Sequence, residues 1–186
     1  VAVFAFDGSE QLHPVSGFTS SGGARAAIRG LAGYKPRDPS TNLNGAIVAG
    51  VHELDTALAR AEQPTHFGTI VVFSDGTDRA HRVKEDDMQD ALKKSGHAVF
   101  AIGLGQDLSE SQLKSIGRDG TARAENKEAV GTAFDKIATR IEARTKSYYL
   151  LSYCTPARAG KHRVKIEAIA KSADGKSERT GTLTQE

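Results

Sequence analysis

Two residues of this sequence carry groups that could act together: Thr41, in Asp38-Pro39-Ser40-Thr41-Asn42-Leu43, and Asp75, in Phe73-Ser74-Asp75-Gly76. A hydroxyl and a carboxylate are hard oxygen donors, suited to magnesium, manganese or calcium and poorly suited to soft metals. Spacing alone favours a structural reading of both. A threonine just before a helix is an ordinary N-cap, and Asp-Gly just after a strand is an ordinary turn. A fold that sets both at one edge of a sheet would change this, because open α/β sheets bind ligands outside the carboxyl ends of their strands.

The elements that would have to do so can be read from the apolar pattern. Val1 to Phe6 (VAVFAF) is a short apolar run closed by Asp7-Gly8-Ser9, and Leu12 to Phe18 is a return strand that Pro14 confines to a sheet edge. Ser20 and Ser21 cap a helix through Leu31. Leu43, Ile47, Val51, Leu54 and Leu58 recur at steps of four and three, so a long helix from Asn42 turns one stripe to a core. Thr69 to Ser74 (TIVVFS) reads as a strand buried on both faces. A helix from Lys84 to Lys94, a buried strand His97 to Ile102, a helix near Glu110 to Ile116, a short strand near Thr121 and a helix from Lys127 to Arg144 follow. In that last helix Val130, Phe134, Ile137 and Ile141 form the covering stripe.

This alternation predicts an α/β fold: a doubly wound, mostly parallel sheet with helices on both faces. The pattern then changes. Tyr148 to Tyr153, His162 to Ile169 and Glu178 to Leu183 are strand-like with no helix between them, and Val164, Ile166 and Ala168 alternate with charged neighbours. A small C-terminal antiparallel strand extension is expected over 147–186, packed on the α/β domain of 1–146.

Composition narrows the possible functions. Lys and Arg total 25 against 23 Asp and Glu, too even a balance to gather nucleic acid or anionic lipid. No run approaches the roughly 18 apolar residues of a membrane span, so no membrane insertion is expected. Cys154 is the only cysteine, which excludes an internal disulfide. It is a free thiol at a strand end, or it pairs outside these 186 residues. The six histidines lack the spacing that places two on one helical face. The chain starts at Val1 without Met, inside an expected strand, and an upstream segment is expected.

The ordered series VAVFAFDGS, DPSTNLNGAI, TIVVFSDGTD and HAVFAIGLG resembles the second strand, metal-threonine loop, metal-aspartate strand and following strand of von Willebrand factor A (VWA) domains. It covers roughly Val1 to Arg144. The tail SYYLLSYC with GKHRVKIEAI is similar to the strand extension of bacterial surface and secreted members. By this resemblance Thr41 and Asp75 match the threonine and second aspartate of the metal-ion-dependent adhesion site.

The family's first strand ends in Asp-x-Ser-x-Ser, and no such strand is present. Asp7-Gly8-Ser9-Glu10-Gln11 matches only its first letters, and its place suits the turn of the second-strand hairpin better. In the family's sheet the absent strand lies between the strands assigned to Val1 to Phe6 and Thr69 to Ser74. An upstream segment or another chain is therefore expected to supply that central strand with the remaining metal ligands. Leaving the slot empty would strand two rows of amides and carbonyls.

The resemblance implies a non-enzymatic module for adhesion or assembly on the extracellular, cell-surface or periplasmic side. A divalent cation, magnesium ahead of calcium or manganese, would there accept an Asp or Glu carboxylate from a protein ligand. The alternative is a structural or assembly domain with a degenerate, metal-free site. A third reading, a metal-dependent phosphotransferase, starts from Phe73-Ser74-Asp75-Gly76-Thr77, which resembles the Asp-x-Asp-Gly-Thr motif of haloacid-dehalogenase-type enzymes. Phe73 stands where their nucleophile belongs, so that reading loses its chemistry. Gly103-Leu104-Gly105 follows a strand as a dinucleotide loop would, but Leu108 replaces the third glycine.

Overall fold

The computed structural model describes residues 1–62, 66–148, 161, 163–172 and 176–185. They divide into two units, Val1–Ser147 and Tyr148–Glu186, and the first carries Thr41 and Asp75. It opens on a hairpin in which Val3–Ala5 (β1) pairs antiparallel with His13–Ser16 (β2), Pro14 standing opposite Phe4. Proline has no N–H for a ladder, so this pairing suits a sheet edge. Ser21–Ile28 (α1) follows, capped by the Ser20 hydroxyl on the Gly23 N–H. The helix expected to reach Leu31 tightens at Arg29 into a 3₁₀ turn, Arg29–Gly33. Glycines at 30 and 33 weaken any continuation as α-helix.

The long helix is Leu43–Ala59 (α2), and Leu43, Ile47 and Val51 are its buried stripe. Next comes a parallel sheet of Thr69–Ser74 (β3), Ala98–Leu104 (β4) and Gly120–Ala124 (β5), with β4 in the middle and unbroken register on both sides. Helices Glu85–Ser95 (α3), Glu110–Ile116 (α4) and Val130–Thr145 (α5) connect or follow these strands. Gly96 ends α3 in the left-handed region at φ 68°, the conformation that favours glycine at a helix end. A capping box between Ser109 and Gln112 starts α4.

Alternation along β4 splits the core into two layers. Val99 and Ala101 pack with Leu43, Ile47, Met88 and Leu113 from α2, α3 and α4. Phe100 and Ile102 pack with Ala122, Ala133 and Ile137 from β5 and α5. Helices therefore cover both faces of the parallel sheet.

The expectation that β3 is buried on both faces needs correcting. Ile70 and Val72 pack on the first core layer, but Val71 is 40% and Phe73 38% exposed. Phe134 of α5, expected in the covering stripe, is 41% exposed and meets Phe73 at 5.6 Å between ring centroids. Helix α5 reaches this side of β3 and, among the described residues, covers it only partly. Among the described residues β3 ladders with β4 alone, and β1 with β2 alone.

In the second unit Val164–Lys171 (β6) pairs antiparallel with Glu178–Gln185 (β7). All of β6 is exposed, against the expectation of one buried face. Register sets Ile166 opposite Leu183, but a two-stranded ribbon supplies no layer of its own to cover them. Beyond Tyr148, the expected strand Tyr148 to Tyr153 lies outside the described residues, as does Cys154.

Candidate functional site

Three loops meet at the carboxyl end of the sheet: the turn after β1, the segment leading into α2 and the loop after β3. Backbone bonds join them. The Asp7 carbonyl accepts the Asn42 N–H at 2.9 Å, and the Thr41 carbonyl accepts the N–H groups of Arg79 at 2.8 Å and Ala80 at 3.0 Å. The Asn42 side chain donates to the Ser9 carbonyl at 2.8 Å. Arg82 reaches back across the junction, donating to the Gly8 carbonyl at 2.6 Å and pairing with Asp38 at 3.2 Å. The approach of the first two loops is close enough that a Cβ on Gly8 would collide with the Asp38 side chain and Ser40.

Thr41 is half-buried at this junction and Asp75 is exposed. Thr41 does not cap α2. The cap is Asn42, whose side-chain oxygen accepts the Gly45 N–H at 3.2 Å, and the next orphan amide, that of Asn44, goes to Asp78 Oδ1 at 3.1 Å. The Thr41 hydroxyl is thus released from the structural role that spacing alone would give it. In the turn after β3 it is the Ser74 hydroxyl that serves Gly76, donating to its carbonyl at 2.9 Å and accepting from its N–H at 3.3 Å. The Asp75 carboxylate takes no hydrogen bond or ion pair among the described residues.

Asp7 has the opposite character. Its side chain is 2% exposed, and it accepts from the N–H of Ser9 at 2.8 Å, the Tyr34 hydroxyl at 3.0 Å and the N–H of Arg37 at 2.7 Å. His13 Nε2 lies 3.4 Å from Oδ2. Burial works to raise the Asp7 pKa, but the hydrogen bonds from Ser9, Arg37 and Tyr34 outweigh it and hold the carboxyl well below the usual carboxylate range. Burial, the bond it donates and the Asp7 charge push Tyr34 up to about 12. Both Asp7 oxygens are engaged, which suits the turn reading of Asp7-Gly8-Ser9 rather than a metal motif.

The donor chemistry of Thr41 and Asp75 fits a hard divalent cation as part of a ligand set. Magnesium takes about six oxygens, and this pair offers a hydroxyl and a carboxylate that no neighbour has claimed. Among the described residues no group of three or more His, Cys, Asp or Glu side chains could hold a metal.

A family model described as von Willebrand factor type A domain matches residues 1–140. The chain belongs to that family. Two solved structures show the same fold. Proximal thread matrix protein 1 from the mussel byssus aligns at TM-score 0.61 and 14% identity, covering 75% of this chain and 36% of that one. A von Willebrand factor type A protein from Catenulispora acidiphila aligns at TM-score 0.54 and 20% identity, covering 73% and 32%. The chain thus spans about a third of the length of either. No curated protein matches it. VWA domains are generally interaction and assembly modules and mostly non-enzymatic, and no helix among the described residues is long and apolar enough to cross a membrane.

Sequence reasoning missed the residues that build the junction. Asp7 read as a turn residue, Asn42 marked the helix start without being read as its cap, and Asp78 and Arg82 drew no attention. The one available signal was the density of Asp, Asn and Ser on both sides of Thr41. These residue types bond to nearby backbone in turns and caps.

Proposed function

We propose that this VWA domain is a metal-ion-dependent protein-binding module for adhesion or assembly, with Thr41 and Asp75 as its own contribution to a divalent-cation site. The observation that carries the reading is that an unclaimed carboxylate and a hydroxyl freed from capping stand on two loops joined at the carboxyl end of the sheet. A bound cation, magnesium ahead of calcium or manganese, supplies a positive centre for a partner's Asp or Glu carboxylate. The protein's part is positional: α2 and β3 hold the two loops, and the bonds from Arg79 and Ala80 to Thr41 keep them together.

Two oxygen donors leave the set incomplete, and an upstream segment or another chain would supply the rest on a central strand beside β3. Among the described residues β3 ladders on one side only, and this and the exposure of Val71 and Phe73 support the reading. The family points to an extracellular, cell-surface or periplasmic setting. Calorimetric titration with magnesium tests the reading: Asp75→Ala and Thr41→Ala each abolish the binding heat, and unchanged affinity in Asp75→Ala overturns it.

A second reading, a structural domain with a degenerate, metal-free site, draws on the absence of a three-ligand cluster among the described residues and on the likeness to a thread matrix protein. It gives partner binding that is indifferent to chelators. Turnover of a phosphate ester, lost on changing Asp75, would overturn both readings in favour of a phosphotransferase.

A further inference from the structure

We propose that Asp78 is a positioning residue that sets the separation between Thr41 and Asp75 without itself being a ligand; this rests on the metal reading of that pair.

Asp78 follows Asp75 by three residues, and its side chain is only 10% exposed. Its two oxygens are divided between two elements. Oδ1 accepts the N–H of Asn44, the second residue of α2, at 3.1 Å, and Oδ2 accepts the N–H of His81 at 3.0 Å. Between those two points the N–H groups of Arg79 and Ala80 donate to the Thr41 carbonyl. Asp78, Arg79 and Ala80 are thus clamped against Thr41 and Asn44, and the His81 N–H ties the end of that stretch to Asp78.

The clamp matters because each ligand hangs from a rigid element by a short tether. Thr41 is two residues from Leu43, which starts α2 in the core, and Asp75 is one residue past the β3 ladder. The freedom left between them lies in the loop from Gly76 to Ala80. Asp78 removes it by fixing the middle of that loop to α2. His81 shows the constraint, holding φ 50° without being glycine, a region that non-glycine residues seldom occupy. The bond from its N–H to Asp78 helps to hold it there. Magnesium tolerates little error in ligand placement, so slack in this loop would be read directly as lost affinity.

Two measurements on the full chain separate the clamp from the metal reading. First, without added metal, amide hydrogen exchange by NMR compares wild type with Asp78→Ala. The expected result is a loss of protection on the order of tenfold at Arg79 and Ala80, whose acceptor is Thr41 and not Asp78. Val99 and Ile102 in β4 should be unchanged, which shows that the variant is folded. Unchanged protection at Arg79 and Ala80 overturns the proposal.

Second, manganese is titrated and paramagnetic broadening at Thr41 and Gly76 is followed. Asp78→Ala should weaken binding by roughly 10- to 100-fold, the range for groups that orient a ligand. Asp78→Asn keeps one oxygen acceptor and should recover part of this. Equal losses in the two variants mean that the carboxylate acts through its charge alone, and positioning is wrong. If the wild type shows no broadening while the exchange result holds, the metal reading fails and the clamp stands.

Discussion

Replacing Asp7 tests whether the turn after β1 is held by the buried carboxylate. Asp7→Ala removes the acceptor of two backbone N–H groups, those of Ser9 and Arg37, and of the Tyr34 hydroxyl. Each buried group left unsatisfied costs about 1 to 3 kcal/mol. All three donors are only partly buried, so some recover water and the lower half of that range applies. The expected loss is about 3 to 6 kcal/mol, or roughly 6 to 24 °C in Tm for a chain of this size. Asp7→Asn keeps one acceptor oxygen but turns an N–H₂ toward a donor and loses the charge, for about 2 kcal/mol.

The pH dependence supplies an independent arm. The folded-state pKa of Asp7 is lowered from 3.8, so its contribution is fully present above that value and is lost as pH falls below it. Tyr34 is raised from 10.0 to about 12, so its share is present below 10.0 and is lost as pH rises through about 12. Urea denaturation followed by circular dichroism, repeated from neutral pH to about pH 2.5, should show the gap between wild type and Asp7→Asn shrinking in acid. A cost for Asp7→Ala under about 1 kcal/mol, or a gap that does not change with pH, would refute the reasoning.

Asp75→Ala should leave stability within about 0.5 kcal/mol, because the side chain is exposed and has no partner among the described residues; the same denaturation series would show a larger loss if it served the fold. Val71→Lys should reduce concentration-dependent association of the chain, since among the described residues β3 ladders with β4 alone, and an uncharged, apolar strand edge is a pairing template that lysine protects. Sedimentation velocity showing equal association in wild type and variant would count against an open β3 edge. Ile137→Ala should cost about 2 to 5 kcal/mol, as expected for a fully buried residue of the second core layer. A loss below about 1 kcal/mol by thermal melt would mean that α5 does not seal that face.

Much of the fold was legible in the sequence because it rests on short-range periodicity. The four-three spacing of Leu43, Ile47 and Val51 and the run from Thr69 to Ser74 each mark one element, and α2 and β3 begin and end within a residue or two of the expected limits. The loops that carry Thr41 and Asp75 could be placed as well, one just before α2 and the other just after β3.

Partnership across sequence distance could not be read. Whether a threonine before a helix caps it depends on which neighbour is nearer the orphan amides, and Asn42 and Asp78 took that role, the latter from a loop 34 residues away from Asn44. Asp7 looked like any turn aspartate until Tyr34 and Arg37 were brought to it. Phe134 kept the right spacing for burial, but burial depends on what lies opposite, and only part of that side of β3 is covered. The sequence by itself determined which segments become helices and strands and which residue types stand at their ends. The tertiary structure decided which of those polar groups are consumed in holding the loops together and which side chains, those of Thr41 and Asp75 among them, take no bond among the described residues, because that division is made by contacts between segments distant in the chain.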